Sequence, residues 1–315
     1  VPRRITWLLA ATSLAVWTAL CACASPQARP APAQAGLKAL AVETFLADMA
    51  QNVAGERLRI EALLPIGVDP HSFEPTPQDL RRVADCDVLI VNGAGLEEFL
   101  TRLLQNAGGK HLVIEAAAGL TSRAGREGEV AAGAHAEPEH GDPHFWLDPI
   151  NAVRYVENIR AGLSQADPQG AAAYAAGAAA YAARLQELDQ WASLQFAALP
   201  EARRQIVTNH ESLGYLADRY GLRIVGTIIP SVSTSASPSA EQMAQLVGHI
   251  RQAGVQAIFL ETGSNPQLAR QIAQEAGIRV VTDLYTHSIS APDGPAPTYI
   301  DMIRYDTRAM VDALK

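Results

Sequence analysis

Short apolar runs rich in β-branched residues alternate with helical patterns along the body of the chain, and a set of four such runs occurs twice. In the first half the expected strands are LKALAVE (37–43), RLRIEALLP (57–65), DVLIVNG (87–93) and HLVIEAA (111–117), with helices near 44–53, 76–84 and 95–106. In the second half they are RQIVTNH (204–210), LRIVGTIIP (222–230), VQAIFLET (255–262) and IRVVTDLY (278–285), with helices near 211–220, 239–253 and 265–276. Strands that alternate with helices pair in parallel, through right-handed crossovers. The expected fold class is therefore α/β: two lobes, each with a four-stranded parallel sheet flanked by helices.

Between the halves lies DPQGAAAYAAGAAAYAARLQELDQWASLQFAALP, residues 167–200. Its alanines favour helix, Asp167 and Pro168 suit an N-cap and first turn, and Pro200 ends it. One long helix joining two lobes, roughly 45 Å at full length, is a stiff connector. Wide hinge closure is not expected of such a joint. The expected organisation is an N-terminal lobe over 37–166, the connecting helix over 167–200 and a C-terminal lobe over 201–315.

The first 24 residues have a different character. Arg3 and Arg4 precede an apolar run that ends in small residues and cysteines, the layout of an export signal. Leu20-Cys21-Ala22-Cys23 resembles a lipobox with Cys23 as the lipidated residue, while Ala22-Cys23-Ala24 also fits a small-residue cleavage site. An Ala/Pro-rich tether would follow over 25–36. This places the folded part outside the cytoplasm, periplasmic or anchored to the membrane by lipid. Removal of residues 1–22 takes away two arginines and no acid, so the net charge passes from −8 to −10. An acidic body argues against nucleic acid as a partner and suits a cation. Only Cys86 remains in the body, so no disulfide framework is possible and Cys86 reads as a core residue at a strand start.

Ligands of open α/β sheets collect beyond the carboxyl ends of the strands. Four of the eight histidines fall in such places. His71 lies in PIGVDPHSFEPTP after the second strand and His144 in GDPHFWLDP after the fourth. His210 ends the fifth, and His287 lies in DLYTHSIS after the eighth. Taken alone, a loop histidine is more often solvated or satisfied than a ligand, and His111 and His249 are assigned so. Two donors from each lobe could meet at the interface, and zinc accepts a tetrahedral set of imidazoles. Pro70, Pro143 and Pro149 would stiffen the backbone beside the first two donors, with Phe145 and Trp146 covering the site against water.

GVDPHSFEPTPQDL, DPHFWLDPINA, TNHESLGYLADRYGL and THSISAPDGPAPTYIDMIRYD resemble, in order and spacing, the metal-binding substrate-binding proteins of ABC importers for zinc and manganese. The likeness covers nearly the whole body of the chain. It implies two α/β lobes joined by one long helix, and it places metal ligands at His71, His144 and His210. Histidine at position 210 is similar to the zinc members, since manganese members commonly have glutamate there. The fourth family ligand is usually aspartate, where this chain has His287; Asp283, Glu211 or Glu74 could then supply a nearby carboxylate, and a three-histidine site completed by water or a carboxylate is the alternative. The stretch 121–141 reads as a loop, and its His135, Glu137, Glu139 and His140 resemble the His/acid-rich loop of zinc members.

The function implied is capture of Zn2+ between the lobes and delivery to an ABC permease and its ATPase, by a monomer, with no chemical step. Manganese binding on the same fold is the alternative. Of other classes, a zinc hydrolase would need Glu211 as general base, but there is no H-E-x-x-H, G-x-S-x-G or P-loop pattern. A surface adhesin has no feature of its own in the sequence.

Overall fold

The computed structural model describes residues 36–123 and 141–315. The export signal, the candidate lipidation site Cys23, the tether before Gly36 and the group His135, Glu137, Glu139 and His140 lie outside the described residues. In the first lobe β1 (Ala39–Ala41), β2 (Ile60–Ala62), β3 (Val88–Val91) and β4 (Leu112–Glu115) form one sheet of order β2-β1-β3-β4. In the second, β5 (Gln205–Thr208), β6 (Arg223–Thr227), β7 (Ala257–Glu261) and β8 (Arg279–Leu284) form another, of order β6-β5-β7-β8. Every pairing is parallel. The central strands β3 (VLIV) and β7 (AIFLE) are buried along their whole length, as a sheet covered on both faces requires.

The strands are shorter than the apolar runs that announced them, because each run continues into the turn beyond its last paired residue. Thus β5 stops at Thr208, and His210, two residues on, turns into the cleft. The helices start where capping chemistry lets them. Thr76 and Asp79 form a reciprocal capping box at α2 (Pro77–Ala84), with Pro77 in the first turn. Ser239 and Gln242 do the same at α7 (Ala240–Ala253). The remaining crossover helices are α1 (Thr44–Ala54), α3 (Leu100–Ala107), α6 (Gly214–Tyr220) and α8 (Gln267–Ala276).

The connecting helix α5 spans Ala171–Ala197, 27 residues or about 40 Å. Its start differs from expectation. Residues 168–170 form a 3-10 turn, and Asp167 does not cap the helix. Its buried carboxylate instead takes the Arg57 guanidinium and, at 2.7 Å, the Tyr174 hydroxyl. Two further helices were not anticipated: α4 (Pro149–Ala166), capped by Asp148, and the last helix α9 (Tyr299–Leu314), capped by Thr298.

These two complete a joint that belongs to both lobes. One continuous apolar cluster runs through Phe45 and Met49 of α1, Tyr155 and Ile159 of α4, Tyr181 and Leu185 of α5 and Tyr299 and Ile303 of α9. Tyr299 N donates to Asp48 of α1 at 3.0 Å, so the last helix is tied to the first. A Cβ at Gly177 would lie 2.5 Å from the Val53 carbonyl oxygen, so α5 approaches the end of α1 as closely as glycine permits. Separate clusters pack the outer faces, with Cys86 buried in that of the first lobe. The inner faces form one core, and the lobes share it.

Candidate metal centre

The strand order places a switch point between β1 and β3 in one sheet and between β5 and β7 in the other, where crossovers diverge and leave a crevice. The carboxyl ends of both sheets contribute loops to the interlobe cleft. His71 enters from the loop after β2, His144 from the loop after β4, His210 from just past β5 and His287 from the loop after β8. Their ligand atoms all lie within 4.8 Å of one another. The side chains are 5%, 0%, 0% and 8% exposed, so the group is largely shielded from bulk water.

His144 Nε2 lies 3.2 Å from His71 Nε2 and 3.4 Å from His210 Nε2. His287 Nε2 is buried with no hydrogen-bond partner. A tetrahedron with zinc–nitrogen bonds of about 2.0–2.1 Å has nitrogen–nitrogen edges of about 3.3 Å. The measured separations fit that figure. Without a cation, two such nitrogens can share a proton in an N–H···N hydrogen bond, while His287 Nε2 has no hydrogen-bond partner at all; one cation would engage all four.

The far edges of three of the rings face polar side chains, while His71 Nδ1 is buried without a hydrogen-bond partner. His144 Nδ1 donates to Asp142 Oδ1 at 2.8 Å, which leaves Nε2 free of a proton. His210 Nδ1 lies 2.8 Å from Glu261 Oε1, an ion-pair distance off the hydrogen-bond line. His287 Nδ1 is 3.0 Å from Thr286 Oγ1. The two D-P-H motifs share one device: the Asp69 and Asp142 carboxylates each accept the backbone N–H of the histidine two residues on, at 3.0 Å. Trp146 is fully buried and lies 5.2 Å from the His144 ring, with its Nε1 donating to the Thr286 carbonyl at 2.7 Å. Phe145 does not cover the histidines. It packs on Tyr215, whose hydroxyl donates to the Asp142 carbonyl at 2.8 Å.

Burial, followed by the charge of His210, pushes the His71 imidazole down to about 4 and holds His144 and His287 well below the usual range. Burial also opposes a charge on His210, but the Glu261 carboxylate outweighs it and keeps that imidazole above its ordinary value. Burial would likewise raise Glu261, yet His210 holds its carboxyl far below the carboxylate range. Asp142 is pushed up to about 7 by burial. Glu261 thus favours the charged form of His210, while burial favours the neutral form of the other three rings.

The carboxylates at the ring nitrogens are Asp142 and Glu261, with Asp69 on the His71 backbone, and not those expected. Asp283 and Glu74 are exposed, and Glu211 is half-buried with its backbone N–H on the Ser231 carbonyl. His111 precedes β4 and His249 lies within α7, outside the group. Asp142 had a local signal, since it stands two residues before His144 as Asp69 stands before His71. Glu261 had none, because its partner belongs to another strand. A cleft of about 510 Å³, lined in part by Asp69, Thr234, Glu261, His287 and Ser288, leads to the group from outside. Across its mouth the Thr234 hydroxyl of the second lobe donates to Asp69 of the first.

Residues 40–313 match a family model described as ZnuA, zinc-uptake complex component A, periplasmic. The chain is 34% identical over 283 residues to the manganese-binding lipoprotein MntA of Halalkalibacterium halodurans, with 89% of each covered. It is similar to the Mn-bound periplasmic metal-binding protein of Candidatus Liberibacter asiaticus, at 28% identity and a TM-score of 0.77 over 89% of this chain and 100% of that one. It is also similar to the periplasmic zinc-binding protein TroA of Treponema pallidum, at 25% identity and a TM-score of 0.77 over 88% and 99%.

Proposed function

The chain belongs to the ZnuA family of metal-binding substrate-binding proteins of ABC transporters, and from that premise we propose that it captures one Zn2+ on His71, His144, His210 and His287 and delivers it to an importer. The observation that carries this reading is the cluster itself: four buried imidazoles with ligand nitrogens within 4.8 Å of one another, two of the separations, 3.2 and 3.4 Å, matching the edge of a tetrahedral zinc site. Imidazole in place of carboxylate favours zinc over the harder manganese. The +2 charge is offset from outside the ligand set by Glu261 and, when ionised, Asp142.

Four protein ligands close the coordination sphere, so no position remains for a metal-bound water. That supports a carrier of the ion and not a hydrolase. The partners are the permease and ATPase of the importer. The chain acts outside the cytoplasm as a monomer, periplasmic or held to the membrane by lipid at Cys23, with lobes at 37–166 and 201–315 about the connector 167–200. No helix among the described residues is long and apolar enough to cross a membrane.

Metal content and competition binding test the reading, on protein purified without chelator and offered Zn2+ and Mn2+ together. One zinc per chain with manganese excluded is the expected result. A second reading, manganese as cargo, is favoured by the name of the Halalkalibacterium halodurans relative. Preference for manganese in that competition would establish it, and no stoichiometric metal would overturn both.

A further inference from the structure

Each imidazole must be held still for four nitrogens to meet, and the loop carrying His144 is gripped from a side that has no contact with the rings. The Pro143 carbonyl, one residue before His144, accepts a hydrogen bond from Asn92 Nδ2 at 3.1 Å. Asn92 stands just past β3 at the switch point of the first sheet and is fully buried. Its amide is committed at both ends. Nδ2 also donates to the Gly93 carbonyl at 2.9 Å, and Oδ1 accepts the Tyr155 hydroxyl of α4. Two carbonyls on one side and a hydroxyl on the other fix which end is nitrogen, and the amide cannot turn without stranding a buried polar group.

The backbone beneath it is fixed as well. Asn92 N donates to Glu97 Oε1 at 2.6 Å and Gly93 N to Glu97 Oε2 at 3.1 Å. Glu43, at the carboxyl end of β1, faces Glu97 and is itself fully buried. Burial, and then the charge of Glu97, push Glu43 well above the carboxylate range, and the two backbone N–H groups make Glu97 the acceptor beneath Asn92.

We infer that Asn92 is a positioning residue for His144: clamped by Glu97 and Tyr155, it holds the Pro143 carbonyl so that His144 Nε2 meets the nitrogens of His71 and His210. The inference rests on the reading of His144 as a zinc ligand. Asn92→Asp tests it in the full-length protein, since aspartate keeps the shape and the acceptor for Tyr155 but puts an oxygen against the Pro143 carbonyl. Zinc release, followed with a chelating indicator, accelerates about tenfold, the lower end of the range for groups outside the ligand set. The visible spectrum of the Co2+-loaded protein shifts with it. Tyr155→Phe, which frees the far end of the amide, gives a smaller acceleration in the same direction.

Asn158 supplies the matched control. It lies on the same helix as Tyr155 and donates to the Ala116 and Ala118 carbonyls at 2.8 and 2.9 Å, away from the His144 loop. Asn158→Asp leaves zinc release unchanged; an equal acceleration there would mean general loosening and overturn the inference. Imidazole NMR of the metal-free protein separates the inference from its premise. The His144 ring signals move in Asn92→Asp while those of His287 stay, and unmoved His144 signals overturn the positioning role. If the unmodified protein takes up no zinc, the ligand reading fails instead, and the NMR comparison still decides whether Asn92 sets His144.

Discussion

Glu261→Gln isolates the charge behind His210. Glutamine keeps the volume and can still meet the Ser212 and Ser264 hydroxyls, which lie 3.1 and 3.3 Å from the carboxylate. What is lost is one negative charge 2.8 Å from His210 Nδ1. Across the ring and a zinc–nitrogen bond, that charge stands roughly 6–7 Å from a bound ion. Attraction between −1 and +2 at this range is about 1 kcal/mol at the dielectric of water and about 5 kcal/mol at an effective value of 20. The 10- to 100-fold loss typical of such partners, about 1.4–2.7 kcal/mol, falls inside those bounds. At about pH 8 the variant therefore binds zinc 10- to 100-fold more weakly.

The pH dependence carries a second mark. Glu261 raises His210 in the metal-free protein, so zinc must displace a proton there. Affinity rises about tenfold per pH unit below the His210 value and levels off above it. In the variant the His210 ring falls into line with its depressed neighbours, and the sloping region moves to lower pH. Indicator competition at several pH values between about 5 and 8 measures both effects. Equal affinity and equal slope in the two proteins would refute the reasoning, as would an affinity of the unmodified protein that does not change over that range.

His287→Ala should cost more than the roughly 100-fold that loss of a supporting carboxylate can cause; zinc retained with an exchangeable water in the vacated position would instead restore a catalytic reading. Glu43→Gln changes stability through linkage. Burial raises both Glu43 and Glu97, the latter to about 7, so the folded state holds extra protons and loses stability as pH rises from the ordinary carboxylate range toward neutrality. That loss is on the order of 1.4 kcal/mol per pH unit for each group, and in denaturant melts of the metal-free protein Glu43→Gln should make the decline shallower; an unchanged profile would exclude a shared proton. Gly177→Ala drives a methyl group into the Val53 carbonyl, and the strain outweighs the gain in helix propensity by about 1–2 kcal/mol. A midpoint that holds or rises would mean that α1 and α5 separate freely.

The fold was legible because β-branched runs and helical patterns alternate without interruption, and a parallel sheet buried on both faces leaves no other use for runs such as VLIV. The joint was less so. Asp148-Pro149 and Thr298-x-x-Asp301 are start signals of α4 and α9, but the helices they open lie outside the repeating strand–helix pattern. Asp167 looked like a cap because local sequence cannot show that Arg57 would claim it across the fold.

At the site, the four histidines were visible as residues placed after strand ends, and the resemblance added weight to the same positions. The structure brings these four together and leaves Asp283 outside, exposed beside buried Leu284 on the alternating faces of β8. Glu261 could not be foreseen. The residue at the end of an apolar strand reads as a boundary, and only the β5–β7 pairing brings it to His210.

The two sheets have the same strand order, so their strands correspond one to one. Two residues beyond the last residue of β1, Ala41, stands Glu43; two beyond the last of β5, Thr208, stands His210. Ala41 pairs with Ile90 and Thr208 with Phe259, and two residues beyond those partners stand Asn92 and Glu261. The molecule thus contains one socket in duplicate, filled with imidazole and carboxylate in one copy and with carboxylate and amide in the other. The backbone repeats, and its use does not: one copy faces the cargo while its twin grips a loop. Moving the anchorage of the ion to the first lobe would begin at Glu43 and Asn92, and would require another means of holding His144.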